Sequence, residues 1–319
     1  MQQFANTEPQ QGIFNYTGGD LIVDLANSTG KNYIRCHNLI WGSSLPDWLS
    51  KGTWTNATLT AVMQRHIYSL ILHFGANCYS WDVVNEALNS DGTFVPNIWY
   101  NTIGREYFFL AFKFAAEAVA LTDGDDIQLY YNDYGIESPN AKTAAAAALV
   151  AELQYRGIQI DGVALESHFE VGAMPNKTRQ IAAMESFTSL GVDVVRSEID
   201  IRFTSLPYTA IDLQTQKQNY YDTIASCMAV ENCIGMTVWD FADVTSWVPA
   251  WSNYTEGGAD LYDENFVRKP AYEGVADAIM AGSMATSSSS TTAAPALPTS
   301  TLYHGIRTNW SNLSPYANY

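Results

Sequence analysis

Six short apolar runs, at residues 33–40, 79–84, 127–131, 162–165, 192–199 and 234–239, are separated by longer stretches spaced at helical period. Such alternation is the pattern of repeated βα units, which pack as a parallel sheet or barrel. The helical stretches include 106–121, 141–156, 177–190 and 213–230. Every strand-like run also ends in a polar or aromatic cluster. These clusters are His37 and Trp41, Asn85-Glu86, Asn132-Asp133-Tyr134, Glu166 with His168, Glu198 with Asp200, and Trp239. Parallel strands bring such ends to one rim, which is where barrel sites assemble. One strand ending in a charge means little, but six ending in Trp, His, Asn and acids point to a site.

Two of the endings carry the sharpest signal. Trp81-Asp82-Val83-Val84-Asn85-Glu86 and Ser197-Glu198-Ile199-Asp200 each close on a glutamate, and a pair of carboxyls at one rim is the equipment of glycosidic bond cleavage. Composition agrees with a neutral polymer as substrate. Lys+Arg is 16 against Asp+Glu 33, a formal net charge of -17, so nucleic acid and anionic membranes would be repelled. Aromatic residues make up 13% of the chain, and their flat faces suit sugar rings, although most of the Tyr and Phe read as core. No run is long enough for a transmembrane helix, the five His lack metal-ligand spacing, and no glycine-rich phosphate loop is present, so neither metal nor cofactor is expected.

Asn-X-Ser/Thr sequons at Asn15, Asn27, Asn56, Asn176, Asn253, Asn309 and Asn312 point to a secreted, extracellular glycoprotein, although residues 1–6 have no apolar stretch of signal-peptide type. Cys227 and Cys233 flank a short loop and are expected to be bonded. Cys36 and Cys78 are bonded or simply buried, and buried thiols are the favoured reading. From residue 282 the composition turns to Ser, Thr and Pro, which separates a domain at 1–281 from a disordered tail at 282–319.

The motifs Trp81-Asp82-Val83-Val84-Asn85-Glu86, Ser197-Glu198-Ile199-Asp200, His37-Asn38-Leu39-Ile40-Trp41, Tyr131-Asn132-Asp133-Tyr134 and Lys269-Pro270-Ala271-Tyr272 together resemble family 10 glycoside hydrolases. These are β-1,4-xylanases built on the (β/α)8 TIM barrel. The resemblance implies a retaining mechanism, with Glu86 as acid/base and Glu198 as nucleophile. It further implies that Asn85 bonds the sugar 2-hydroxyl and that His168 and Asp200 orient Glu198. Trp239 and Trp247 would wall the reacting sugar, with His37 and Trp41 facing them and Glu166 nearby. Xylan or another β-1,4-linked plant polysaccharide is the implied partner, and a monomer the implied state. An inactive truncated member with weak carbohydrate binding, or a retaining β-glucanase or cellobiosidase, are the alternatives.

The chain also departs from that pattern. The family's first two strands have no counterpart, so about six βα units remain, with open edges where a closed barrel has none. Gly42 and Ser44 replace a His and a Gln of the family, Glu166 stands for Gln, and Arg196 for an aliphatic residue. Strand alternation places Arg196 on the face of Glu198 and Glu166 on the face of His168, so a compensating Glu166–Arg196 ion pair is expected.

Overall fold

In a computed structural model, residues 3–288 are described apart from 32 and 123–125, with side chains described as far as residue 282. Seven strands form the expected parallel array: β1 (Ile34–Trp41), β2 (Cys78–Asn85), β3 (Gln128–Asp133), β4 (Gly162–Leu165), β5 (His168–Glu170), β6 (Asp193–Arg202) and β7 (Cys233–Val238). Their order is β1-β2-β3-β4-β6-β5, with β7 on β6. Both β4 and β5 pair with β6, β4 through Gly162–Leu165 and β5 through His168–Glu170, so the two short strands act as one stave broken at Glu166-Ser167. Ser167 takes a φ of 65 at that break. Three-residue β5 was not expected from sequence because it is too short to show a period. Among the described residues, β1 and β7 each have a single strand partner, which leaves the six-stave array open on both sides as the sequence implies.

Seven longer helices accompany the strands: α1 (Thr17–Ser28), α2 (Asn56–Phe74), α3 (Glu106–Val119), α4 (Ala141–Tyr155), α5 (Lys177–Thr188), α6 (Ala210–Cys227) and α7 (Pro270–Ser288). Local sequence sets where several of them start. Asn140 accepts a hydrogen bond from the Thr143 N–H, Asn176 from that of Arg179, and Thr209 with Asp212 forms a reciprocal capping box. The main core lies between the strands and α2, α3 and α4. It includes Leu70, Phe74, Trp81, Phe108, Phe112 and Leu153, all buried. Helix α7 continues to Ser288, and the rest of the 282–319 segment falls outside the described residues.

Inside the array, the lower layer is filled by Tyr130, Ala164 and Val195. The Tyr130 ring lies directly on Gly162, where a Cβ would come within 2.0 Å of the ring, so only glycine fits there. Arg35 lies over the Tyr130 ring at 5.0 Å and pairs with buried Asp82. The N-terminal segment is fixed by Phe4, stacked on His66 at 3.5 Å, and by Glu8, which is buried against Arg65 and His66.

Cys227 and Cys233 are bonded as expected. Cys36 and Cys78 are bonded too, which corrects the buried-thiol reading. They sit on neighbouring parallel strands with Cα atoms 5.7 Å apart, inside the range a disulfide spans. The bond joins residues separated by 42 positions and ties the edge strand β1 to β2. Replacing both residues by serine should lower unfolding free energy by about 2–4 kcal/mol. Denaturant unfolding monitored by tryptophan fluorescence reads this, and an unchanged midpoint would contradict it.

Candidate active site

The rim of the array gathers nearly every residue singled out in the sequence. Asn132, at the end of β3, is the hub. Its Nδ2 lies 2.8 Å from Glu198 Oε1, 3.0 Å from Glu166 Oε1 and 2.6 Å from Asn85 Oδ1, while its Oδ1 accepts from Ser197 Oγ at 2.6 Å. Asn132 belongs to a motif noticed in the sequence, but no role followed from the motif alone. The signal that finds it is register, since Asn85 and Asn132 are paired neighbours on β2 and β3.

Glu198 is held from several sides. His168 Nε2 stands 3.1 Å from Oε2, and His37 Nδ1 3.6 Å from Oε1. Behind it, His168 Nδ1 meets Asp200 Oδ1 at 2.9 Å, and Asp200 Oδ2 accepts from the Trp247 indole N–H at 2.7 Å. Burial opposes charge on His168, but Asp200 and Glu198 outweigh it and push the imidazole up to about 10. It is therefore an imidazolium at neutral pH. Asp82, missed in the sequence reading, accepts from that same His37 Nδ1 at 3.1 Å, so the hydrogen goes to Asp82 and the ring's approach to Glu198 is one of charge. Burial likewise opposes charge on His37, yet Asp82 and Glu198 leave it raised overall.

Glu86 lies just past β2 with a φ of 50, its backbone N–H donating to Asn132 O at 2.9 Å and its Oε1 3.4 Å from Asn85 Nδ2. Burial, with the nearby charge of Glu198, raises its carboxyl above the ordinary value, although a hydrogen bond from Trp41 works the other way. Two carboxyls with environments this different are suited to acid and nucleophile roles. The aromatic walls also gather here. Trp239 meets His37 edge-on at 5.4 Å, Trp41 is 6.5 Å from His37, and Trp247 lies 5.2 Å from His168. Trp251, 57% exposed and 5.3 Å from Trp247, extends that surface outward and had not been singled out.

The expected Glu166–Arg196 ion pair does not form. Between Arg196 and Ile199, strand β6 spends three steps where β7 spends two, from Met236 to Val238, so an extra residue bulges into β6. The bulge reverses the alternation. Ser197 and Glu198 both bond Asn132 inside, whereas Arg196 faces the helix layer and donates to Ser167 Oγ at 3.0 Å, Gln180 Oε1 at 2.8 Å and Ser226 Oγ at 2.9 Å. Fully buried, with Glu137 giving only partial support, its guanidinium is pulled down to about 10.

Glu166, His168 and Glu198 offer ligand atoms all within 4.8 Å of one another, a spacing a metal ion could bridge. Both ring nitrogens of His168 face carboxylates, Nε2 within hydrogen-bond distance of Glu198 and Nδ1 in an ion pair with Asp200, so the imidazole is occupied within the protein on both sides.

The sequence profile described as glycosyl hydrolase family 10 matches residues 2–278. The chain belongs to glycosyl hydrolase family 10. It is 46% identical over 278 residues to endo-1,4-beta-xylanase D of Talaromyces funiculosus, covering 87% of this chain and 66% of that protein. With endo-1,4-beta-xylanase 1 of Humicola insolens the identity is 40%, covering 87% and 63%. The chain thus spans somewhat under two thirds of the length of these curated relatives. Among solved structures, the Penicillium canescens endo-1,4-beta-xylanase XylE superposes with a TM-score of 0.84 at 49% identity, covering 87% of this chain and 83% of that one. A family 10 xylanase from Bispora sp. MEY-1, solved with xylobiose, gives a TM-score of 0.83 at 47% identity, covering 87% and 85%. The family's eight-stranded barrel is therefore represented here by six staves.

Because Arg196 and Glu166 are not partners, Arg196→Met and Glu166→Gln should act independently on stability. Arg196→Met should cost roughly 1–3 kcal/mol by stranding the acceptors of Gln180, Ser167 and Ser226. A double-mutant cycle should give a coupling below about 0.5 kcal/mol. A larger coupling would mean that the two side chains meet after all.

Proposed function

We propose that this chain is a retaining endo-β-1,4-xylanase, in which Glu86 is the acid/base and Glu198 the nucleophile. The observation that carries this reading is the asymmetry of the two carboxyls. Glu198 is surrounded by donors, with the Asn132 amide and the His168 imidazolium both on it, whereas burial raises the Glu86 carboxyl above its ordinary value.

In the first half of the reaction, Glu198 attacks the anomeric carbon while Glu86 gives its proton to the leaving glycosidic oxygen, so an ester forms as the glycosidic bond breaks. In the second, Glu86 takes a proton from water, the hydroxide adds to the same carbon, and the Glu198 carboxylate leaves. Asn85, fixed by Asn132 and adjacent to Glu86, is placed to bond the sugar 2-hydroxyl, a contact that strengthens as the sugar becomes oxocarbenium-like. Trp239, Trp247, His37 and Trp41 supply the walls of the reacting-sugar site. Xylan as substrate is part of the same reading, supported by the named xylanases that the chain resembles, and so is action outside the cell, supported by its sequons; a monomeric state completes the proposal. No helix among the described residues is long and apolar enough to cross a membrane.

Protonated Glu86 is required for the first step, so activity should fall as pH rises through its raised value. The alkaline limb of kcat/KM should accordingly lie above the ordinary glutamate range. Glu86→Ala should lower kcat/KM for xylan about 10²–10⁴-fold, and much less for an aryl xylobioside, whose leaving group needs no acid, while release of the glycosyl-enzyme becomes slow. Added azide should then accelerate the variant and yield the β-xylobiosyl azide. A 2-fluoro xylobioside should label Glu198 in the wild type. Label on another residue, or an α-azide product, would refute the assignment, and faster turnover of the matched cellobioside would favour a glucanase.

A further inference from the structure

One wall of the site holds more carboxyl groups than the cations beside it can balance. Glu166, Glu198 and His168 have their ligand atoms within 4.8 Å of one another, and Asp200 stands behind the imidazole. His168 is the cation in reach of Glu166, and its two N–H groups already face Asp200 at 2.9 Å and Glu198 at 3.1 Å. Glu166 is left at 3.6 Å. On its other oxygen Glu166 faces Asn132 Nδ2 at 3.0 Å, the longest of three approaches to a nitrogen that has only two hydrogens. Glu166 is 1% exposed, so water does not screen it. A second anion in that place would be buried, next to Glu198, and with no donor of its own.

We propose that Glu166 is a positioning residue of the double displacement, carried as the neutral acid beside the nucleophile, and that loss of its proton is one of the events that ends activity at alkaline pH. While Glu166 is neutral, no second anion competes with Glu198 for the His168 Nε2 hydrogen or for the Asn132 Nδ2 hydrogen that Asn85 leaves. Once it ionises, Nε2 of His168 and Nδ2 of Asn132 are shared between two anions, and the hold on Glu198 loosens. Burial, reinforced by Glu198, Glu86, Asp133 and Glu137, holds the Glu166 carboxyl well above its ordinary value, in agreement with the geometry. The inference rests on Glu86 and Glu198 being the catalytic pair, but its first test does not.

Glu166→Gln puts a neutral amide of nearly the same shape in this place. Infrared difference spectra of wild type against Glu166→Gln near neutral pH should show one protonated-carboxyl carbonyl stretch present only in the wild type. That measurement needs no turnover. Should that variant not fold, Glu86→Gln carrying carbon-13 at its glutamate carboxyls should still show an isotope-shifted protonated-carboxyl band that bleaches at alkaline pH, which separates Glu166 from Glu86 and from the buried aspartates. With xylan, whose leaving group needs the acid, the ratio of variant to wild-type kcat/KM should rise by about threefold or more from neutral to alkaline pH, because the variant loses activity through Glu86 alone. An ionised Glu166 would do the opposite. No band would be seen, and removing its charge would let Glu86 ionise earlier, moving the variant's alkaline limb down by about one pH unit so that the ratio falls. A missing band, or a flat or falling ratio, overturns the proposal. A band with no turnover by the wild type would instead overturn the xylanase reading and leave the protonation of Glu166 standing.

Discussion

The imidazolium of His168, clamped between Glu198 and Asp200, is the contact on which the rest of the site depends. A carboxylate needs donors to remain an oriented anion in a site from which water is excluded, and a positive charge with two fixed N–H groups supplies both field and direction. The fold provides this through register. Strands β5 and β6 run parallel with His168 opposite Asp200, and the bulge in β6 turns Ser197 and Glu198 together onto Asn132. His168 carries a stability consequence as well. Its folded value of about 10 exceeds the unfolded one, so its contribution is complete below the unfolded value of about 6.5 and is lost as pH rises toward 10.

What the sequence made legible is what strand ends and periods can carry. Glu86, Glu198, His37 and Trp239 follow from the logic of a common rim, and the starts of α3, α4 and α5 match their periodic stretches to the residue. Pairing was harder to see. Whether Cys36 and Cys78 bond depends on β1 lying beside β2, which no local pattern states. The face of Arg196 was misjudged because alternation holds only in an unbulged strand, and this bulge is defined by the neighbours of β6 rather than by the residues within it. Asn132 became important only when its partners from β2, the β4–β5 stave and β6 were known. Buried Arg196 among Ser167, Gln180 and Ser226 is a packing solution whose partners lie 16 to 30 residues away.

The residues of the candidate site come from the six staves. Edges of the array are where the geometry is least supported by strand pairing, and other contacts act there. The Cys36–Cys78 bond ties β1 to β2, and the Arg35–Asp82 pair fills the interior beside Tyr130. At the rim, His37 on β1 touches Trp239 beyond β7, so a side-chain contact spans the side on which β1 and β7 lack further strand partners. The oxygens of Glu198 are thereby approached by His37 from one edge strand and by His168 from within the sheet.

The charge on His168 is the most direct test of this account. Nitrogen-15 chemical shifts of its ring, followed from acid to alkaline pH, should report both nitrogens protonated throughout the neutral range, with deprotonation only toward about 10. A ring that titrates near the ordinary histidine value of about 6.5, with one nitrogen bare at neutral pH, would contradict it.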